Sequence, residues 1–273
     1  MDNRSTGLAV QQSAKAELSL AAESAYSRRR DNRMMKRREF ITLVGSAAAW
    51  PLAARAQTAS EMPMEHEGMD THHMGSPSDG AFHRRFENAD QWAKEFDNPE
   101  RDAWQKPEET LDALHLKRTS DVADIGAGTG YFSVRIAKRI PDGKIFAADI
   151  ELDMVRYLRE RAQRERLTNL VPVQTSADAA NLPEAVDVAL VVDTYHHIGN
   201  RTKYFAKLKS SLRPMGQLVI IDFKADSPSG PPAQYRISPE RVMEELNTAG
   251  YTLIETHPFL PRQYYLVFGK REP

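Results

Sequence analysis

The chain contains no cysteine. That excludes a disulfide framework, cysteine-ligated zinc or iron–sulfur, thiol nucleophiles and thiol redox pairs. It leaves the compartment open, since a cysteine-free chain survives oxidising and reducing surroundings alike. Long hydrophobic runs are lacking too. The longest, Phe40 to Ala54, is broken by Gly, Pro and small polar residues and falls short of the roughly 20 residues a membrane-spanning helix needs. Neither sign of charge dominates, with 37 Lys and Arg against 38 Asp and Glu. Only 14 Gly and 16 Pro occur among 273 residues, too few for a collagen-like or low-complexity chain. What is present, 41% hydrophobic and 27% charged residues, is the composition of a globular protein of one large domain or two small ones.

The net charge of −1 is a sum over unlike parts. Residues 1–56 hold ten of the basic and five of the acidic residues, which leaves 27 basic against 33 acidic in residues 57–273, a net of −6. An acidic surface of that size argues against binding the phosphates of nucleic acid. The basic part has a recognisable layout. Lys36, Arg37 and Arg38 precede the apolar run, which ends at the small-x-small site Ala54-Arg55-Ala56. Basic region, short apolar region and cleavage site together predict a secretory signal over 35–56. Its Arg37-Arg38-x-Phe40-Ile41 core resembles a twin-arginine signal. Signal peptidase and export machinery are then partners, and the expected location is periplasmic or exported, or cytoplasmic if the signal is not used. Residues 1–34, polar and poor in large apolar side chains, are expected to be a disordered leader or to lie upstream of the true start at Met35.

Residues 57–83 read as a flexible linker. The stretch SEMPMEHEGMDTHHMGSPSDGAF from Ser60 is rich in Gly, Ser and Pro, a composition that cannot bury a core. It gathers His66, His72 and His73 with Met62, Met64, Met69 and Met74. Imidazole and thioether are soft ligands suited to copper, so the tract reads either as a loose copper-capturing tether or as a plain solvated linker.

Residues 84–273 show the alternation of a folded domain. Helices are expected at 86–97, 107–116, 130–139, 151–165, 200–212 and 239–249. Strands are expected at 121–125, 144–149, 170–174, 187–193 and 217–223. This strand–helix alternation predicts an α/β, three-layer, doubly wound, Rossmann-like sheet. The last two apolar runs, 251–257 and 263–269, have no helix between them and should close the sheet as an antiparallel hairpin, giving seven strands. Asp124-Ile-Gly126-Ala127-Gly128-Thr-Gly130 lies where a strand hands over to a helix, so glycines let the backbone approach a ligand while the helix start offers free N–H groups. Dinucleotide-binding folds use a near relative of this loop. Asp149, at the end of the next strand, adds a carboxylate placed for two ribose hydroxyls.

Five ordered strings resemble the class I S-adenosylmethionine-dependent methyltransferases: VADIGAGTGYF at 122–132, IFAADIELDMV at 145–155, SADAANLP at 176–183, DVALVVDTYHHI at 187–198 and LRPMGQLVIIDF at 212–223. The resemblance implies S-adenosylmethionine as cofactor and a small-molecule methyl acceptor. Gly126, Ala127, Gly128 and Gly130 would line its methionine portion, and Asp124 would face the amino group. Asp149 would hold the ribose, Ile150 and Ala177 would flank the adenine, and Asp178 would accept from its amine. Asp193 would face the sulfonium. Tyr195, His196 and His197 follow the fourth strand, where a His can take a proton near neutral pH. Asp222, in a similar strand-end position, is expected to be structural. Arg101 and Trp104 either cover the site or pin a helix to the sheet. The Asn/Asp-Pro-Pro-Tyr/Phe signature of amide- and adenine-modifying members is absent. The other class of function open to such a chain is an exported binding module that keeps the fold and works through its His/Met tether.

Overall fold

The computed structural model describes residues 81–82 and 84–271. The export signal and its cleavage site, and His66, His72 and His73 of the tether, lie outside the described residues. In chain order the elements are α1 (Ala89–Phe96), α2 (Asp102–Gln105), α3 (Pro107–Asp112), β1 (Val122–Ile125), α4 (Tyr131–Arg139), β2 (Ile145–Asp149), α5 (Leu152–Arg164), β3 (Leu170–Gln174), β4 (Val186–Val192), α6 (Arg201–Leu208), β5 (Leu212–Phe223), α7 (Pro239–Thr248), β6 (Tyr251–His257) and β7 (Gln263–Lys270).

The strands run in the order β3-β2-β1-β4-β5-β7-β6. The first five are mutually parallel, and β7 lies antiparallel between β5 and β6. Their near-continuous apolar sequences follow from burial on both faces. Successive side chains alternate between two separate cores. Ile145 and Ala147 of β2, Val188 and Leu190 of β4, and Val219 and Ile221 of β5 pack on one side, with Val134 and Ile136 of α4 and Leu158 of α5. Phe146 and Ala148, Ala189 and Val191, and Leu218 and Ile220 pack on the other, with Phe205 and Leu208 of α6 and Val242 and Leu246 of α7. A period of two on the strands thus produces three layers.

Several boundaries differ from the sequence expectation. Asn88 has φ +62, so the first helix begins at Ala89 and Phe86 packs from outside it onto Trp92, with ring centroids 5.0 Å apart. The helix from Pro107 ends at Asp112, and the turn that follows it carries His115 at φ +49. The helix expected to reach 212 stops at Leu208, and β5 starts at Leu212 rather than 217. Pro214 disfavours helix at Arg213, and Leu212 is buried where it pairs with Val186. The ladder shifts register before resuming at Val188–Gln217.

Parallel strands deliver the carboxyl ends of β1, β2, β4 and β5 to one edge of the sheet. The chain order reverses between β1 and β4, so the loops leaving them part and open a crevice, the usual place for a ligand in such a sheet.

Candidate active site

The crevice contains a cavity of about 750 Å³, and the glycine loop after β1 forms its floor. The amides of Gly126 and Ala127 both donate to the Ala148 carbonyl of β2, at 2.8 and 3.1 Å. Gly126 has φ +74, and a Cβ there would lie 2.2 Å from Thr194 Oγ1. Glycine is therefore required by the close approach of the β4 loop as well as by the backbone angle. Asp149 clamps the loop from the side: one carboxylate oxygen accepts from the Gly128 amide at 2.8 Å and the other from Glu151 at 2.9 Å. Burial pushes its carboxyl up to about 6. Asp124 is buried beneath the loop, accepts from Ser133 Oγ at 2.6 Å, and is likewise pushed up to about 6 by burial. Arg161 of α5 donates to the Thr129 carbonyl at 2.8 Å and to Asp97 at 2.9 and 3.0 Å, tying the loop to the end of α1.

Beyond β2 and β3 the cavity is bordered by Ile150, Ala177 and Asp178. Ile150 is half exposed and Ala177 and Asp178 are exposed, so these three form a rim. Across β1, the end of β4 contributes Asp193, with φ +54. Its two oxygens are engaged by Arg101 at 3.2 Å and by Gln263, which in turn accepts from Gln105 at 2.6 Å. Although 22% of its side chain can be reached from the cleft, low-polarity surroundings push the carboxyl up to about 7, against the pull of Arg101.

The Tyr-His-His turn that follows separates into three different roles. Tyr195 is fully buried in the second core, and its hydroxyl donates to Glu245 at 2.7 Å beside Arg201. It stacks on Phe205, with ring centroids 5.2 Å apart, and does not line the cavity as His196 and His197 do. His196 lines the cavity, and both oxygens of Asp222 lie 2.9 Å from its Nδ1. Asp222 also accepts from the His196 amide at 3.2 Å. Where Nδ1–H donates to the carboxylate, the lone pair of the neutral ring is on Nε2. The ring is buried, with 3% of its side chain exposed. Asp222, expected to be merely structural, is thus joined to the site. His197 donates from Nδ1 to the Phe82 carbonyl, and burial pushes it down to about 4, so it is neutral at ordinary pH.

The cavity is roofed by the first described residues and the α1–α2 region. Ala81 is buried, the Phe82 amide donates to the His196 carbonyl at 2.8 Å, and the Phe82 ring packs 5.3 Å from His197 and 4.9 Å from Tyr235. Arg101 and Trp104 do both things open to them. Arg101 pins the segment to Asp193, while Trp104 lines the cavity 6.0 Å from Phe223. Phe82 and Gln263 had no distinguishing sequence signal, and the strand-end position of Asp222 did not reveal its partner, because residues far apart in the chain meet only here. Among the described residues no group of three or more His, Cys, Asp or Glu could hold a metal ion, and no helix is long and apolar enough to cross a membrane.

The sheet order with its antiparallel closing hairpin is that of the Rossmann-like methyltransferase fold, and residues 122–216 match the family model described as a methyltransferase domain. The chain's relatives include the ubiquinone/menaquinone biosynthesis C-methyltransferase UbiE of Neisseria meningitidis serogroup C, 33% identical over 118 residues, which cover 42% of this chain and 47% of that protein. The malonyl-[acyl-carrier protein] O-methyltransferase of Acetivibrio thermocellus is 30% identical over 115 residues, covering 41% and 40%. The chain thus spans about half the length, or less, of the curated relatives it matches. Among solved structures, an S-adenosylmethionine-dependent methyltransferase from Aquifex aeolicus superposes with a TM-score of 0.63 at 26% identity, covering 67% of this chain and 98% of that one.

The residues present suit that cofactor. The glycine loop leaves room for a ligand against its backbone, Asp149 and Asp124 supply acceptors at separate depths, and Thr129 Oγ1 lies buried in the same loop with no hydrogen-bond partner among the described residues. A buried hydroxyl without a partner is costly unless a ligand satisfies it.

Proposed function

We propose that this chain transfers a methyl group from S-adenosylmethionine to a small-molecule acceptor, with His196 as general base and Asp222 as the residue that positions it. The observation carrying the reading is the meeting, in one cavity, of a glycine loop clamped by Asp149 with an imidazole backed by a carboxylate. In this reading Gly126, Ala127, Gly128 and Gly130 cradle the methionine portion, Asp124 faces its amino group and Asp149 holds the ribose. Ile150, Ala177 and Asp178 border the adenine. The cofactor supplies an electrophilic methyl group on a sulfonium whose leaving thioether needs no proton. The remaining tasks belong to the protein: aligning the acceptor in line, excluding water, and removing a proton where the acceptor arrives protonated. Asp222 keeps the His196 lone pair on Nε2. Asp193, with both oxygens held by Arg101 and Gln263, shapes the site between cofactor and acceptor.

Equilibrium dialysis of the full chain with labelled S-adenosylmethionine tests the first half. Binding is expected at about 100 micromolar or tighter, about −5.5 kcal/mol. Asp149→Ala should abolish it, while His196→Ala should retain binding and lose roughly 10²–10⁴ in turnover, read as S-adenosylhomocysteine release in a metabolite screen. No cofactor binding at that concentration would overturn the reading.

We also propose that residues 35–56 direct export and that the mature protein begins at Gln57. The basic cluster, short apolar run and Ala54-Arg55-Ala56 support this. The cofactor is made in the cytoplasm, so an export route for folded proteins allows the domain to leave with it bound. Cell fractionation with N-terminal sequencing should find Gln57 first in the periplasm; an uncleaved cytoplasmic chain would refute it.

A further inference from the structure

The cavity has two chemically unlike halves. Apart from Asp193 at the end of β4, the residues assigned to the cofactor lie at or after the ends of β1, β2 and β3. Past β1, over the ends of β4 and β5, the lining changes to Phe82, Phe86, Trp104, His196, His197 and Phe223. This half is aromatic, and the cations that border the cavity are already engaged. Arg101 is bonded to Asp193, Arg85 to Glu151, and Arg84 lies 4.5 Å over the ring of Trp92. Asp222 holds His196, and Asp193 borders the same part of the cavity. An anionic acceptor would face these carboxyls, whereas an uncharged ring would meet aromatic faces and edges that favour it.

Phe82 belongs to this half in an unusual way. It lies outside any helix or strand, yet its backbone is fixed at both ends: its amide donates to the His196 carbonyl and its carbonyl accepts from His197 Nδ1. Its ring is thereby held against the two histidines, with centroids 6.2 and 5.3 Å away. His197 is consumed by this clasp and is unsuited to act as base, which leaves His196 as the imidazole lining the cavity for that part.

We propose that the acceptor is an uncharged aromatic hydroxyl compound seated over the ends of β4 and β5, and that Phe82, clasped by His196 and His197, is the residue that sets its size and orientation. This rests on the methyltransferase reading above. The acceptor hydroxyl oxygen forms the new bond to the methyl carbon, the carbon–sulfur bond breaks with its electron pair passing to sulfur, and the hydroxyl proton passes to His196 Nε2. The products are an aryl methyl ether and S-adenosylhomocysteine.

The test is calorimetric titration of the full chain, saturated with S-adenosylhomocysteine, with 2-naphthol and separately with 6-hydroxy-2-naphthoate. The naphthol should bind and the carboxylate should bind at least tenfold more weakly. Phe82→Ala should weaken the naphthol at least tenfold while leaving S-adenosylhomocysteine affinity unchanged, which also shows that the variant is folded. Phe82→Tyr should restore most of the loss. With S-adenosylmethionine, the wild type should yield 2-methoxynaphthalene, and Phe82→Ala should shift the kcat/KM ratio of 2-naphthol to phenol. Cofactor binding without naphthol binding, equal binding of the carboxylate, or indifference to Phe82→Ala would overturn the proposal and leave the methyltransferase reading intact. Failure of S-adenosylhomocysteine itself to bind would remove both.

Discussion

Asp149 illustrates how one side chain links loop geometry to ligand binding. Each oxygen accepts a backbone N–H, and burial still raises its carboxyl to about 6. A folded-state value above the usual carboxylate range means that this group costs stability as pH rises from about 4 through 6, because the unfolded chain ionises more readily. On the proposed reading cofactor binding runs the other way, since two ribose hydroxyls would need the ionised form as acceptor. Affinity for S-adenosylmethionine should therefore be constant above about pH 7 and fall below pH 6, by up to about tenfold per pH unit for each titrating group. Calorimetry from pH 5 to 8 would show it, and a pH-independent affinity would refute the assignment. Tyr195 makes the opposite case. Its hydroxyl serves Glu245, which Arg201 and Arg241 also hold. Tyr195→Phe should cost about 1 kcal/mol in thermal or urea unfolding and leave kcat unchanged. A turnover loss beyond tenfold with intact cofactor affinity would return the tyrosine to the chemistry.

At the scale of elements, the loops leaving β1 and β4 are mutually dependent. Gly126 turns at positive φ directly against the Thr194 side chain. Gly126→Ala should lower stability by about 1–3 kcal/mol and abolish cofactor binding, because either the glycine loop or the histidine turn must move. Thr194→Gly in the same chain should relieve the steric part and leave the backbone cost of roughly 1 kcal/mol. The two substitutions should therefore be non-additive in a denaturation cycle; strict additivity would show that the contact carries no energy. A second close approach occurs after β5, where a Cβ at Gly230, φ +104, would fall within 2.5 Å of the Phe223 ring. There the loop seals one side of an aromatic wall.

Across the whole molecule, the two cores on either side of the sheet draw on residues from Leu111 to Phe268, and the roof adds a smaller cluster of Ala89, Trp92 and Met154. A chain beginning at Ala81 should unfold in one cooperative transition with cofactor affinity equal to that of the full chain, whereas one beginning at Arg84 should keep the transition but lose the Phe82 clasp and with it acceptor binding. Two resolved transitions in the first variant would contradict this.

The sequence by itself determined the sheet and marked the glycine-loop half of the candidate site. Apolar alternation is a local property, and the glycine loop and Asp149 stand where β1 and β2 end, whereas Asp178 was marked only by the resemblance of its string. The antiparallel closure was legible for the same reason: no helix separates 251–257 from 263–269. Tertiary structure alone decided the other half. Whether Tyr195, His196 or His197 faced the cleft depended on which ring filled the space beside Phe205. Asp222 became the partner of His196 only because β5 lies beside β4, and Phe82 became a wall only by crossing back over that turn. Such contacts join residues 26 and 115 positions apart, and a separation of that kind leaves no periodic trace in the chain.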